Sequence, residues 1–181
     1  ATALNRFGLG GIGGAAPPAD PPSWLAGQLT RYDPRPAAIA GQKGSAELVT
    51  MLREARDGRR ENKAAAQAAE TGSGQREPPE LAPFRELREV YLGAVGARTQ
   101  AALASETPFV ERLVHFWSNH FAVSVDKLAV LGFAGAFEFE AIRPHVLGRF
   151  SDMLNAVERH PAMQVYLDNS ILVPENAHYD E

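Results

Sequence analysis

Only one short stretch of this chain, Phe121-Ala-Val-Ser-Val125, alternates side chains as a strand would. A strand needs a neighbour for its backbone groups, and no hairpin dipeptide joins two apolar runs anywhere in the sequence. Elsewhere apolar residues return every three or four positions, the spacing of one helix face. The sequence therefore predicts an all-α fold: an irregular multi-helix bundle of six to eight helices with Gly/Pro-rich loops and no significant sheet.

Residues 1–7 fit a short helix stopped by glycines. Residues 8–22, "GLGGIGGAAPPADPP", read as a loop, since glycine and proline disfavour regular elements. A helix restarts near Pro22-Ser23, with Ser23 as its cap and Trp24, Leu25 and Leu29 as its apolar stripe. Another begins at Ser45 and extends to about residue 70. Residues 71–79 break it and have the composition of a mobile loop.

Helical spacing resumes over 80–104 through Leu81, Phe84, Leu87, Tyr91 and Val95. Thr107-Pro108 reads as an N-cap with proline at the first helical position, followed by the stripe Phe109, Leu113, Phe116 and Trp117. "AVSVDK" is an extended link, and "AGAFEFEAIRPH" is helical up to the residue before Pro144. "VLGRFSDMLNAVERH" forms a further helix closed by His160-Pro161, and "PAMQVYLDN" a last short turn or helix. At 181 residues and 45% hydrophobic, the chain suits a single helical domain or the N-terminal lobe of a longer protein.

A net charge of −4 argues against general nucleic-acid affinity, which needs many cations to displace counterions. The absence of cysteine removes thiolate chemistry. No run approaches the roughly 20 apolar residues of a membrane span. Gly8, Gly10 and Gly13, with Asp33 downstream, imitate a dinucleotide fingerprint, but the residues before them are helical and the prolines after them cannot open the required helix. Arg53, Arg56, Arg60 and Lys63 share a helix face, yet Glu54, Asp57 and Glu61 interleave with them, which favours a solvated face with local ion pairs.

The densest polar run is "HFWSNHFAVSVDK", His115 to Lys127. On a helix His115 and His120 lie about 140° apart, so they do not make the same-face pair of a zinc protease site. Downstream stand Glu138, Glu140, Arg143, His145, Glu158, His160, Asp168 and Asn169, with Glu140 and Arg143 spaced for an ion pair. Asp126 is placed to cap the helix that follows it. Each group alone has a bland role as a buried, satisfied polar residue. Together Trp117, Asn119, His120, Asp126, Arg143, His145, His160, Asp168 and Asn169 form a candidate polar cluster. No nucleophile–base pair is complete within it, so no catalytic residue is assigned. No cofactor is predicted, and motif spacing does not support a divalent metal.

"RLVHFWSNHFAVSVDK" and "AGAFEFEAIRPHVLGRFSDMLNAVERHPAMQVYLDN", with "ALNRFGLGG" and "WLAGQL" before them, resemble the bacterial family called domain of unknown function 1800. The shared elements are Trp117, Asn119, His120 and Phe121, the step Arg143-Pro144-His145, His160-Pro161 and Leu167-Asp168-Asn169. The resemblance implies a helical protein, usually longer and often exported from bacteria to the periplasm or beyond, whose chemistry is not established. Members usually continue into an Asn-Glu-Asn segment, of which Pro174-Glu175-Asn176 resembles a trace. The expected partner is then the C-terminal remainder of the same chain, or another protein. Two functions fit: a scaffold or interaction module, and part of a hydrolase-like enzyme completed by C-terminal residues. In the second, histidines would act as acid and base.

Overall fold

The computed structural model describes residues 2–10, 16, 18–68 and 84–169. In chain order the helices are α1 (Thr2–Phe7), α2 (Pro21–Arg31), α3 (Ala37–Ala40), α4 (Ser45–Ala68), α5 (Arg85–Ala104), α6 (Pro108–His120), α7 (Leu128–Leu131), α8 (Phe133–Phe137), α9 (Phe150–Arg159) and α10 (Pro161–Tyr166). A π-helical turn, Glu138–Ile142, and a 3-10 turn, Arg143–His145, follow α8 directly. Among the described residues there is no strand, as the spacing predicts. The longer elements match the sequence expectation, and α3, α7 and α8 are single turns that periodicity does not separate. The 71–79 loop, Gly13 and Leu81 lie outside the described residues.

Helix starts are set by local chemistry. Asp20, rather than Ser23, caps α2: its carboxylate accepts from the Ser23 amide at 3.3 Å and the Ser23 hydroxyl at 2.6 Å. Pro21 and Pro22 fit behind it because first-turn amides have no intrahelical acceptor. Thr107 stands at the cap position of α6, but its hydroxyl bonds Ser105 instead. The first-turn amide of Phe109 is taken by Gln28 of α2, whose Oε1 accepts it at 2.8 Å from a fully buried position. One helix thus caps another across 81 residues.

The main core joins Leu48 and Leu52 of α4, Leu87 of α5, Val110 and Val114 of α6, Phe133 and Phe137 of α8, and Met153 and Val157 of α9. Ile39 packs with Ala97 and Ala101 in a smaller cluster between α3 and α5. The centre of the arrangement is the run from α8 through the π turn, which packs on α4, α5, α6, α9 and α10. The helix does not end before Pro144, as expected from sequence. It tightens into a 3-10 turn whose proline sits where no amide is needed. The next helix begins at Phe150 rather than Val146, because the Gly148 amide closes a turn on His145 and Arg149 is extended.

Close approach of α8 to α5 depends on Gly135. A β-carbon there would lie 2.2 Å from the Ala94 β-carbon, well inside contact distance. Gly135→Ala is expected to destabilise the fold by ~1–3 kcal/mol through overpacking. Thermal unfolding should show a lower midpoint, and Ala94→Gly in the same chain should recover part of the loss. An unchanged midpoint in the single variant would show that the two helices are not in contact.

Candidate functional site

Among the described residues the most buried charged group is Arg143, with a relative exposure of 0%. Its Nη1 donates to Glu111 Oε2 at 2.9 Å, and its Nη2 donates to Glu111 Oε1. Its Nε donates to the Pro34 carbonyl at 3.1 Å. Tyr32 lies beside it: the guanidinium carbon is 5.9 Å from the ring centre, and the phenol donates to the Arg143 carbonyl at 3.4 Å. Burial pushes the Tyr32 phenol up, so it remains a donor. Glu111 is itself only 2% exposed. This is a planar, two-bond pairing that a lysine could not reproduce.

The spacing of Glu140 and Arg143 predicts their pairing on one helix face, but the structure assigns Arg143 differently. The Arg143 amide bonds the Glu138 carbonyl, five residues back, as in a π turn. In an α-helix residues five apart diverge by about 140°; the wider turn brings them back to one side. Glu138 Oε1 therefore lies 3.6 Å from Arg143 Nη1. Glu140 is turned away, towards α4 and α9.

There Glu140 makes a second closed unit. It accepts from the Ser45 amide at the start of α4, at 2.9 Å, and lies 3.2 Å from His160 Nε2. His160 Nδ1 accepts from the Ala162 amide at 3.1 Å and so caps α10. With Nδ1 accepting, Nε2 carries the proton that goes to Glu140. Burial alone would raise the Glu140 carboxyl, but the bonds from His160 and Ser45 outweigh it and hold it at about 2. Gly44 leaves room for this carboxylate, since a β-carbon there would lie 3.0 Å from it.

The remaining predicted residues have separate places. Trp117 and His120 belong to a ring cluster with Phe116, Phe121 and Phe150, in which Trp117 and His120 are 5.5 Å apart. Asp126 does not cap α7. It accepts from the Ser124 hydroxyl at 2.9 Å, while Lys127 holds the cap position of that helix. Lys127 instead pairs with Asp168, which has a left-handed backbone with φ of 57°. The Asn169 amide donates to the Gln164 carbonyl. His145 is half-buried in the 3-10 turn, and Asn119 is exposed at the end of α6. Of the nine, Trp117 and His120 are the one pair in hydrogen-bond, ion-pair or ring contact among the described residues.

Five polar residues outside the predicted cluster matter more: Arg98 of α5, Glu111, His115 and Ser118 of α6, and Glu138 of the π turn. Glu111 and Ser118 lie seven apart on α6, and so share a face, with His115 between them. Ser118 donates to Glu138 Oε2 at 3.0 Å, and Arg98 Nε lies 2.5 Å from the same oxygen. Burial, and next the Arg98 charge, lower the His115 imidazole and keep it neutral near pH 7. Arg98, Ser118, Asn119, Glu138 and Tyr91 line a cleft of about 290 Å³ between α5, the end of α6 and α8. Among the described residues no group of three or more histidine, aspartate or glutamate side chains could hold a metal ion. No described helix is long and apolar enough to cross a membrane.

This all-helical arrangement, with its buried carboxylate–guanidinium hub, can be set beside known families. The sequence model of the family described as "Protein of unknown function (DUF1800)" matches residues 2–173. The chain belongs to that family. Neither curated proteins nor solved structures yield a match to it.

Glu111→Gln should remove both close carboxylate bonds of the buried guanidinium and leave only the more distant Glu138 as countercharge, at a cost of about 3 kcal/mol. The pair replaced together, Glu111→Leu with Arg143→Met, should cost much less than the sum of the single changes in chemical denaturation. Additive losses would mean that the two groups do not interact. Acid sensitivity follows from Glu140. Its carboxyl falls from an ordinary value of 4.5 to about 2 on folding, so its contribution is complete above the first and lost as pH falls through the second. Glu140→Gln should flatten the stability profile across that window; a profile with unchanged slope would place the acid transition elsewhere.

Proposed function

We propose that this domain is a helical interaction module whose buried ion pairs fix the helices and whose aromatic surface receives an apolar segment of a protein partner. The observation that carries this reading is the ring cluster at the end of α6. Phe116 is 58% exposed and Phe150 51%, although both are in ring contact with Trp117. Phe121 and His120 continue the same surface. Contiguous exposed rings carry a large hydrophobic cost in water, and such patches mark sites of association.

The distribution of charge supports the same reading. Glu111, Glu140 and Lys127 satisfy Arg143, His160 and Asp168 in three separate units. A hydrolytic centre would need Asn119, His120, His145, His160 and Asp168 around one reacting atom. His160 instead spends one ring nitrogen on a helix cap and the other on Glu140. These groups then act as ties between helices, which keep the aromatic surface in one shape before it meets its partner.

A photo-crosslinking phenylalanine analogue in place of Phe116 tests the proposal, with the exposed Leu103 of α5, outside the ring cluster, replaced likewise as control. Irradiation in cells should give one discrete product at position 116, mapped by mass spectrometry to an apolar segment of a polypeptide, and none at position 103. Equal, diffuse labelling at both positions, or products with lipid or sugar alone, would sink the idea.

A further inference from the structure

We infer that the cleft between α5, the end of α6 and α8 binds a small organic carboxylate with a short apolar tail. This site is separate from the aromatic surface and stands without it. Its charge balance comes from a quartet of groups: Arg143, Glu111, Glu138 and Arg98. Glu111 takes both terminal nitrogens of Arg143. Glu138 faces Arg143, Arg98 and the Ser118 hydroxyl. The two acids and two bases cancel in number, but not in position. Arg143, Glu111 and Glu138 are buried, whereas the Arg98 side chain is 39% exposed. Among the described residues lining the cleft, Arg98 is the one cation.

The geometry of Arg98 sets the kind of anion. Its Nε is the buried end of the head, against Glu138. The exposed part of the head is then its terminal nitrogens, the part of a guanidinium that grips a planar carboxylate. Asn119 of α6 and Tyr91 of α5 also line the cleft and offer uncharged polar groups. A single exposed cation favours a monoanion over a dianionic phosphate. An amine would have to compete for Glu138, whose oxygens already face two guanidinium groups and a hydroxyl. Val95, Val123, Val125 and Phe139 supply apolar walls for a tail. A volume of about 290 Å³ is at the small end of ligand sites and suits a small molecule rather than a peptide.

Three ligands of one shape separate the possibilities: hexanoate, hexanamide and hexylamine. Titration calorimetry and saturation-transfer NMR on the intact chain should show hexanoate binding in the millimolar range or tighter. Hexanamide and hexylamine should bind at least about tenfold more weakly. Arg98→Met should weaken hexanoate by a similar factor. Because that change touches the Glu138 ion pair, a second variant is needed: Val95→Trp, an exposed position on the cleft wall, should block hexanoate with the melting temperature unchanged. Equal binding of the amide or amine overturns the inference. So does hexanoate affinity that survives Val95→Trp, or the absence of hexanoate binding in the millimolar range.

Discussion

The double hydrogen bond between Glu111 and Arg143 joins α6 to the turn that follows α8, and most of the packing is arranged around it. Two charges taken this far from water are costly, and their attraction offsets that cost only when geometry and remaining bonds are complete. Here they are nearly so. Both terminal nitrogens of Arg143 reach one carboxylate, Nε reaches the Pro34 carbonyl, and the Tyr32 ring covers the guanidinium. Such a pair adds little net stability compared with apolar side chains of similar size. What it supplies is uniqueness: a one-residue slip of α6 would break both bonds between the two side chains.

The π turn is the backbone device that makes the pairing possible. It moves Glu138 to the Arg143 side and releases Glu140 to the opposite one. The two acids, two residues apart, serve different neighbours. Glu138 ties α5 and α6 through Arg98 and Ser118. Glu140 ties the start of α4 and the start of α10 through Ser45 and His160. An α-helical Glu138–Ile142 would keep Glu140 one turn below Arg143 and break both sets of contacts.

This explains which features were legible in the sequence. Helix class, the Thr107-Pro108 start and the stop at His160-Pro161 all follow from interactions within a few residues. They can be read from periodicity and from what proline and glycine allow. Two prolines obscure the start of α2, so that Ser23 looks like its cap in the sequence while Asp20 before them holds the position. The Glu111–Arg143 pair spans 32 residues and has no local signature. Gln28 capping α6 is a contact across 81 residues of the same kind. The Glu140–Arg143 expectation failed for a different reason: it assumed 3.6 residues per turn where the chain inserts a wider one. The nine candidate residues have only polar residue type in common, and residue type does not say whether a polar group faces a partner or a cleft.

The same turn gives the closed core a connection to the surface. Glu138 has one oxygen towards Arg143 and the other towards Ser118 and Arg98. It therefore touches both the buried Arg143 and the wall of the cleft. An anion on the terminal nitrogens of Arg98 would share that guanidinium with Glu138, which faces its Nε. The end of α6 also carries Phe116, Trp117 and His120. Ser118 and Asn119 of the cleft and the rings of Phe116, Trp117 and His120 thus lie on the last two turns of one helix, and Ser118 bonds the acid that faces the cleft.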